Sequence, residues 1–324
     1  MTRNVVLVKA TLAVLLWGAT AQAPAQSYPS KPIRFLVPFT AGSASDILAR
    51  VVGDKLAQSW GQPVLVENRP GAGGTIATGM AAKSTPDGYT LVVVSAGHVV
   101  NPVIYANLSY DTLADLSGVI PLANLPSVLA VSPQLGVKSA ADLVAAAKSK
   151  PGQLNYVSGG VGSASHVNAE KFRAATGFEA QHVPLKGAPD MVVEIASGRA
   201  QFGFLPIIAA LPAIRDGKLV PLAVSSARRS SALPEAPSVV EAGIPQGVFN
   251  FWIGLLAPVK TPREIVRKLH DEIAHILLLP DVAERLKRLG AEPLVLDPDQ
   301  FDRYMAEEFQ TLGAIMRGAG VKAQ

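Results

Sequence analysis

The chain has 324 residues, 49% of them apolar, with 29 basic against 25 acidic side chains and no cysteine. The missing thiols exclude disulfides, thiolate metal sites and cysteine catalysis. A net charge of +4 with no Lys/Arg run interleaved with aromatics gives no surface for nucleic acid.

The N-terminus reads Arg3, an apolar stretch from Val5 to Leu16 broken only by Lys9 and Thr11, then small Ala-rich residues. Those are the three regions of a secretory signal peptide over residues 1–25, with cleavage after Ala25 in Ala23-Pro24-Ala25. The stretch is short for a membrane span of about 20 residues, so export is expected rather than anchoring. Loss of Arg3 and Lys9 with the leader lowers the charge from +4 to +2. An exported chain without disulfides relies on its hydrophobic core, and this length supplies one or two.

After Tyr28-Pro29-Ser30-Lys31-Pro32, the run Ile33–Phe39 predicts a strand, then a Gly-Ser turn and a helix ending near Gly61. Val64–Glu67 predicts a second strand, followed by Asn68-Arg69-Pro70-Gly71-Ala72-Gly73-Gly74 and a helix through Ile76, Ala77, Met80 and Ala81. Pro86-Asp87-Gly88 forms a turn. Tyr89–Ser95 has the near-continuous apolar character of a strand buried in a parallel sheet. This alternation predicts a doubly wound α/β lobe. Beyond Asp111–Leu125 the grammar restarts: strand Val128–Val131, a helix over 140–148 capped by Ser139, and strand Leu154–Val157. A second Gly-Ser turn and helix follow, then strand Ala180–Leu185, the turn Lys186-Gly187, and a helix through Met191 and Ile195. Strands Ala200–Leu205 and Leu219–Ser225 complete that lobe.

Residues 230–250, rich in Pro and Gly, read as a return crossing, and Phe251–Ala257 as a strand back in the first lobe. Thr261-Pro262-Arg263-Glu264 has the form of a capping box. The helices after it, one with Ile265, Leu269, Ile273 and Ile276 on one face, read as cover for the first lobe. The expected organisation is a first lobe of residues 26–124 plus 246–324 and a second of 125–245. The crossings near 122–126 and 244–250 form a hinge between the two α/β lobes.

The tetrapeptide Gly-Ser-Ala-Ser occurs at 42–45 and again at 162–165, each time where a strand ends and a helix begins. A helix start leaves backbone N–H groups without intrahelical partners, and the helix dipole adds positive potential, so such a turn suits a small anion. One copy is accounted for by capping alone. Two copies suggest matched lobes facing one ligand. Asp46, in the first turn of its helix, reads as a dipole complement rather than a ligand contact. Asn68 and Arg69 read as loop supports. Lys186 either faces the ligand or pins a loop by its stem.

Rival chemistries have thinner support. An exported hydrolase would use the Ser/His turn at 158–166, yet no Gly-X-Ser-X-Gly elbow is present and His166 has local roles available in capping or packing. His270 and His275 lie five apart and do not make a metal pair, so no metal is expected. Gly71-Ala72-Gly73-Gly74 lacks the dinucleotide fingerprint, and no phosphate loop exists, so no cofactor is expected.

The segments Tyr-Pro-Ser-Lys-Pro-Ile-Arg at 28–34, Val-Pro-Phe at 37–39 and Val-Glu-Asn-Arg-Pro-Gly-Ala-Gly-Gly at 66–74 resemble the Bug-type family. These are the periplasmic substrate-binding proteins of tripartite tricarboxylate transporters. Asn101-Pro102, Leu185-Lys186-Gly187, Gly254-Leu255-Leu256-Ala257-Pro258 and Leu289-Gly290-Ala291-Glu292 match as well, so the likeness covers the mature chain. The resemblance implies the Venus-flytrap arrangement of a type II periplasmic binding protein, a monomeric receptor that closes on a small carboxylate and delivers it to a membrane permease. A sensor acting on a signalling partner is the alternative role. It places one carboxylate on the loop after the first strand, here Phe39, Thr40, Ala41, Gly42, Ser43, Ala44 and Ser45. The second lobe's loop maps onto Ser158, Gly159, Gly160, Val161, Gly162, Ser163 and Ser165, with Lys186 near the pocket. Two departures bear on the ligand. Leu185 stands where the family often has tyrosine, and Leu205 where it has an acid able to meet a ligand amine. The expected ligand is therefore a non-amino carboxylate with an apolar or aromatic portion near Phe39, Phe204 and Leu205.

Overall fold

Short apolar runs punctuated by proline and glycine become strands, and the strands sort into two five-stranded sheets in a computed structural model that describes residues 28–318 apart from 289 and 293. The signal peptide expected at 1–25 lies outside the described residues. In the first sheet β1 (Ile33–Val37) lies between β2 (Val64–Asn68) and β3 (Thr90–Ser95), parallel to both. Beyond β3 comes β10 (Trp252–Pro258), antiparallel to it, and then β4 (Leu116–Asn124) at the far edge. The second sheet has the order β7 (Gln181–Pro184), β6 (Asn155–Ser158), β8 (Phe202–Pro206), β5 (Ser127–Val131), β9 (Val220–Val224). Here β6 runs parallel to β7 and β8, while β5 is antiparallel to β8 and β9.

The chain leaves the first sheet at 125–126 and returns through 225–251. The two crossings are tied side by side: Leu125 N–H donates to Phe251 O at 2.7 Å, Ser225 N–H to Ser127 O at 2.7 Å, and Ser225 Oγ to Phe249 O at 3.2 Å. Such a pair of adjacent strands can bend together without breaking either sheet.

Helices flank each sheet. The first lobe carries α1 (Ala44–Trp60), α2 (Thr75–Ala82) and the single turn α3 (Asn101–Ile104). The second carries α4 (Ala140–Ser149), α5 (Ala164–Thr176), α6 (Ala188–Ala196) and α7 (Ile207–Arg215). The C-terminal helices are α8 (Arg263–Leu278), α9 (Pro280–Arg288) and α10 (Pro298–Gly318). Of these, α8 packs on β4 and α1, while α10 covers β4 and also reaches α5 of the second lobe.

Three local expectations need correction. Residues 116–124, for which the sequence predicts no element, form the nine-residue strand β4. Its Pro121 lacks a ladder donor, and the register to β10 shifts between Ile253 and Gly254, which accommodates proline in a strand. The stretch between β8 and β9, left without an element, is α7; its interior Pro212 and all-round apolar sequence hide the helical signal. Thr261 does not cap α8: Pro262 is the N-cap, and the Thr261 hydroxyl is buried without a partner.

Consecutive residues of a strand point to opposite faces. Phe204 and Leu205 on β8 therefore enter two different cores, both 0% exposed. Phe204 packs edge-on against Phe172 in the layer beneath α5, and Leu205 packs with Val128, Met191 and Ile207 on the other side. Neither side chain reaches the surface or the space between the lobes. Their expected site role is withdrawn, because β8 is a central strand covered on both faces.

Candidate ligand-binding site

The two Gly-Ser-Ala-Ser copies fold almost identically. Gly42 has φ 79° and Gly162 φ 81°, left-handed values that favour glycine. Ser43 (φ −68°, ψ 160°) and Ser163 (φ −65°, ψ 156°) are the N-caps of α1 and α5. Each serine hydroxyl accepts from the N–H three residues on, at 3.3 Å from Asp46 and 3.4 Å from His166. The same two residues reach back to the turn: Gly42 N–H donates to Asp46 Oδ2 at 2.9 Å, and Gly162 N–H to His166 Nδ1 at 3.2 Å. This reciprocal bonding follows the logic of a capping box, displaced by one residue. It leaves the N–H groups of Ala44, Ser45, Ala164 and Ser165 at the helix starts, where no intrahelical acceptor exists.

The supports beneath the turns differ. Asp46 is buried, which by itself would raise its pKa, but hydrogen bonds from Arg50, Gly42 and Asn68 outweigh burial and hold it below the usual carboxylate range. Asn68 also donates to Phe39 O at 2.9 Å, tying β2 to the turn. Under the second turn lies an aromatic and ionic stack. His166 and His182 are parallel at 4.1 Å between centroids, with Tyr156 4.8 Å from His182. Tyr156 donates to Glu170, which is paired with Arg173 at 2.6 Å. Burial, reinforced by Arg173, depresses His166 to about 4. Burial and the neighbouring His166 depress His182 to about 3. Both rings are thus neutral at ordinary pH. Ser158 Oγ, 2.6 Å from His182 Nε2, also accepts from Gly160 N–H at 3.1 Å. Ser158 is 0% exposed, so this Ser–His pair holds the turn from below.

Both turns open onto one small cavity between the lobes. The first lobe contributes Phe39, Ser43, Ala44, Ser45 and Ser95; the second contributes Gly159, Ser163, Ala164, Ser165, Gly187 and Ala188. Met191, Pro206 and Phe251 complete it, and none of these lining residues is ionisable. Four helices start at this wall, because α6 begins at Ala188 and α7 follows Pro206. Their positive ends converge on a site at the carboxyl ends of β1, β3, β6 and β8, the usual ligand position in open α/β sheets. The space open to water in it is about 30 Å³, room for roughly two molecules. The lobes lie in contact beside it, where the Tyr105 hydroxyl donates to Val161 O at 2.6 Å.

Of the residues expected at the site, Phe39, Ser43, Ala44, Ser45, Gly159, Ser163 and Ser165 line this cavity. Thr40, Ala41, Gly42, Ser158, Gly160, Val161 and Gly162 form the framework of the turns behind it. Lys186 is exposed and lies on an outer groove of about 700 Å³ with Gly73, Tyr105, Val161 and Asp190. Sequence reasoning missed Ser95, Ala164, Gly187, Ala188, Met191, Pro206 and Phe251. The turn at Lys186-Gly187 before a helix signalled the third helix start; nothing flagged the fourth, since α7 itself was missed.

Two α/β lobes joined by paired crossings, with helix starts converging between them, have the architecture of a solute-binding protein. Residues 48–321 match the family model of the tripartite tricarboxylate transporter family receptor, and the chain belongs to that family. It is 35% identical over 307 residues to Protein BugT of Bordetella pertussis, covering 94% of each chain. The structure of R. palustris Rpa4515 with adipate superposes with a TM-score of 0.88 at 34% identity, over 92% of this chain and all of that one. That of MatC (Rpa3494) from Rhodopseudomonas palustris with bound malate gives 0.85 at 29% identity, over 89% of this chain and 99% of that one.

Proposed function

We propose that the protein is a periplasmic receptor that captures a small organic acid lacking an ammonium group and presents it to a membrane permease of the tripartite tricarboxylate type. One observation carries this reading: both Gly-Ser-Ala-Ser turns, with two further helix starts, line a single cavity that no ionisable side chain enters. A carboxylate there meets backbone N–H groups and serine hydroxyls. Each charge-assisted hydrogen bond contributes about 1.5–3 kcal/mol. Four such bonds in a closed cleft are enough for micromolar capture, about −8 kcal/mol, after ordering costs. An ammonium group would find no counter-ion, since the nearby Asp46 is turned into its own loop and already engaged by Arg50. Phe39, Met191, Pro206 and Phe251 supply apolar wall for the carbon skeleton. The adipate and malate bound by the related structures are acids of this kind.

A ligand seated between the two turns enters with the lobes apart, because both turns face one cleft. Closure couples to the ligand because the ligand touches both lobes; equal affinity for open and closed forms would shift nothing. The receptor is expected to act as a monomer after cleavage near Ala25 and to leave its ligand chemically unchanged. A thermal-shift screen over mono-, di- and tricarboxylates, aromatic acids, aspartate and glutamate tests the reading. A melting-temperature gain with one carboxylate class, and recovery of that acid unaltered, is the expected result. Low-micromolar binding of aspartate or glutamate, or turnover of the acid, would overturn it.

A further inference from the structure

The second-lobe turn has one feature that its counterpart lacks. The N–H groups of Gly159, Gly160, Gly162 and Ser163 all donate within their own lobe, to Ser165 Oγ, Ser158 Oγ, His166 Nδ1 and Gly160 O. The Val161 carbonyl instead turns outward and accepts from the Tyr105 hydroxyl of the first lobe at 2.6 Å. Tyr105 directly follows α3, and its own N–H donates to Asn101 O at 2.8 Å, which fixes where the ring emerges. The ring lies against Gly162: a Cβ placed there would stand 3.4 Å from Tyr105 Cε2 and 2.8 Å from Asn101 Oδ1. A Cβ on Gly73 would come within 2.1 Å of Val161 O, so the first-lobe backbone approaches this carbonyl from a second side. In the first-lobe turn the matching residue is Ala41, which is exposed and bonded to nothing across the cleft among the described residues.

We propose that Tyr105 is the closure latch: a positioning residue that holds the second-lobe anion turn from the first lobe and so sets how long the cleft stays shut. The bond exists only when the lobes meet, so it stabilises the closed form selectively, the condition for shifting the equilibrium. Burial raises the phenol to about 12, which keeps it a donor at any pH the protein meets. On opening, both groups regain water. The net gain is therefore that of one neutral hydrogen bond, about a two- to tenfold bias in the closed-to-open ratio. The inference depends on lobe closure and is independent of which acid is bound.

The test uses the full mature chain without ligand. The chain has no cysteine, so one introduced on each lobe gives a unique spin-label pair. Double electron–electron resonance then reads the interlobe distance for wild type, Tyr105→Phe and Tyr105→Leu. Tyr105→Phe keeps the ring and removes only the hydroxyl; it should lower the closed-to-open ratio about two- to tenfold with the melting temperature of the lobes retained. Tyr105→Leu should lower it at least as far. An unchanged distance distribution in Tyr105→Phe overturns the latch, whether or not the melting temperature moves, since a purely structural role would affect melting alone. Carboxylate binding by both variants in the thermal-shift assay keeps the receptor reading intact in either case.

Discussion

The two Gly-Ser-Ala-Ser turns reach one backbone geometry by different chemistry. In the first lobe the acceptor reaching back to the turn is a carboxylate, Asp46, compensated by Arg50 at 2.9 Å. In the second it is a neutral imidazole, His166, held in a buried stack. A carboxylate so close to an anion site opposes the ligand and is tolerated only because its charge is taken up locally. The imidazole carries no such penalty. The second-lobe turn is thus the electrostatically more welcoming half, and it is also the half gripped across the cleft.

The largest effect should come from preventing the turns from meeting at all. Gly97, just after β3, would place a Cβ 2.4 Å from Gly162 O and 2.8 Å from Ala164 N. Those neighbours belong to the other lobe, so Gly97→Ala should leave the melting temperature of the free protein near wild type. Overpacking of this kind costs about 1–3 kcal/mol, so calorimetry should show affinity for the best carboxylate reduced about ten- to hundredfold.

Exchanging the two back-bonding residues sharpens the comparison. Asp46→Asn weakens charge-assisted bonds to Gly42 and Arg50 and should cost about 1.5–3 kcal/mol of stability by denaturant unfolding. His166→Gln keeps an acceptor for Gly162 N–H and should cost less. The serines separate in another way. Among the described residues Ser45 makes no side-chain hydrogen bond, whereas Ser165 Oγ accepts from Gly159 N–H at 2.9 Å. Ser45→Ala should weaken ligand binding about two- to tenfold with little change in melting, while Ser165→Ala should lower both.

The smallest effect is on pH dependence. His166 and His182 have folded-state pKa values of about 4 and about 3, below the unfolded value of about 6.5. Between those limits the unfolded chain binds protons that the folded one refuses. Their contribution is therefore fully present above pH 6.5 and is lost as pH falls toward 4 and then 3, at up to about 1.4 kcal/mol per pH unit for each proton. Glu170 and Arg173 face the pair, and the half-buried carboxyls of Asp302 and Glu308, whose pKa values are raised by partial burial, act in the opposite sense. The informative quantity is the difference: His182→Gln should show a shallower fall in melting temperature from pH 6.5 to 4 than wild type.

Much of the architecture was legible because it is written locally. Tyr89–Ser95 could be little but a buried strand, and the repeated tetrapeptide marked both turns before any coordinate. What failed was what only tertiary context decides. Pro121 and Gly118 disguised β4, whose ladder closes with residues some 130 positions away through a shifted register. Phe204 and Leu205 were expected at the ligand because the family has an acid near the pocket at the position of Leu205. Which face of β8 is covered depends on how α5, α6 and α7 pack on it, and both faces are covered. The wall residues Ser95, Pro206 and Phe251 come from three separate strand ends and carry no common motif, so only folding brings them together.

The central claim is that one ligand carboxylate is held between the starts of α1 and α5. A crystal structure of the protein with adipate, the acid bound by its relative Rpa4515, tests this most directly. The account predicts carboxylate oxygens about 3 Å from N–H groups at Ala44 or Ser45 and at Ala164 or Ser165, with no cationic side chain in contact. Adipate seated instead in the outer groove, with its carboxylate on Lys186 and the two turns unoccupied, would contradict it.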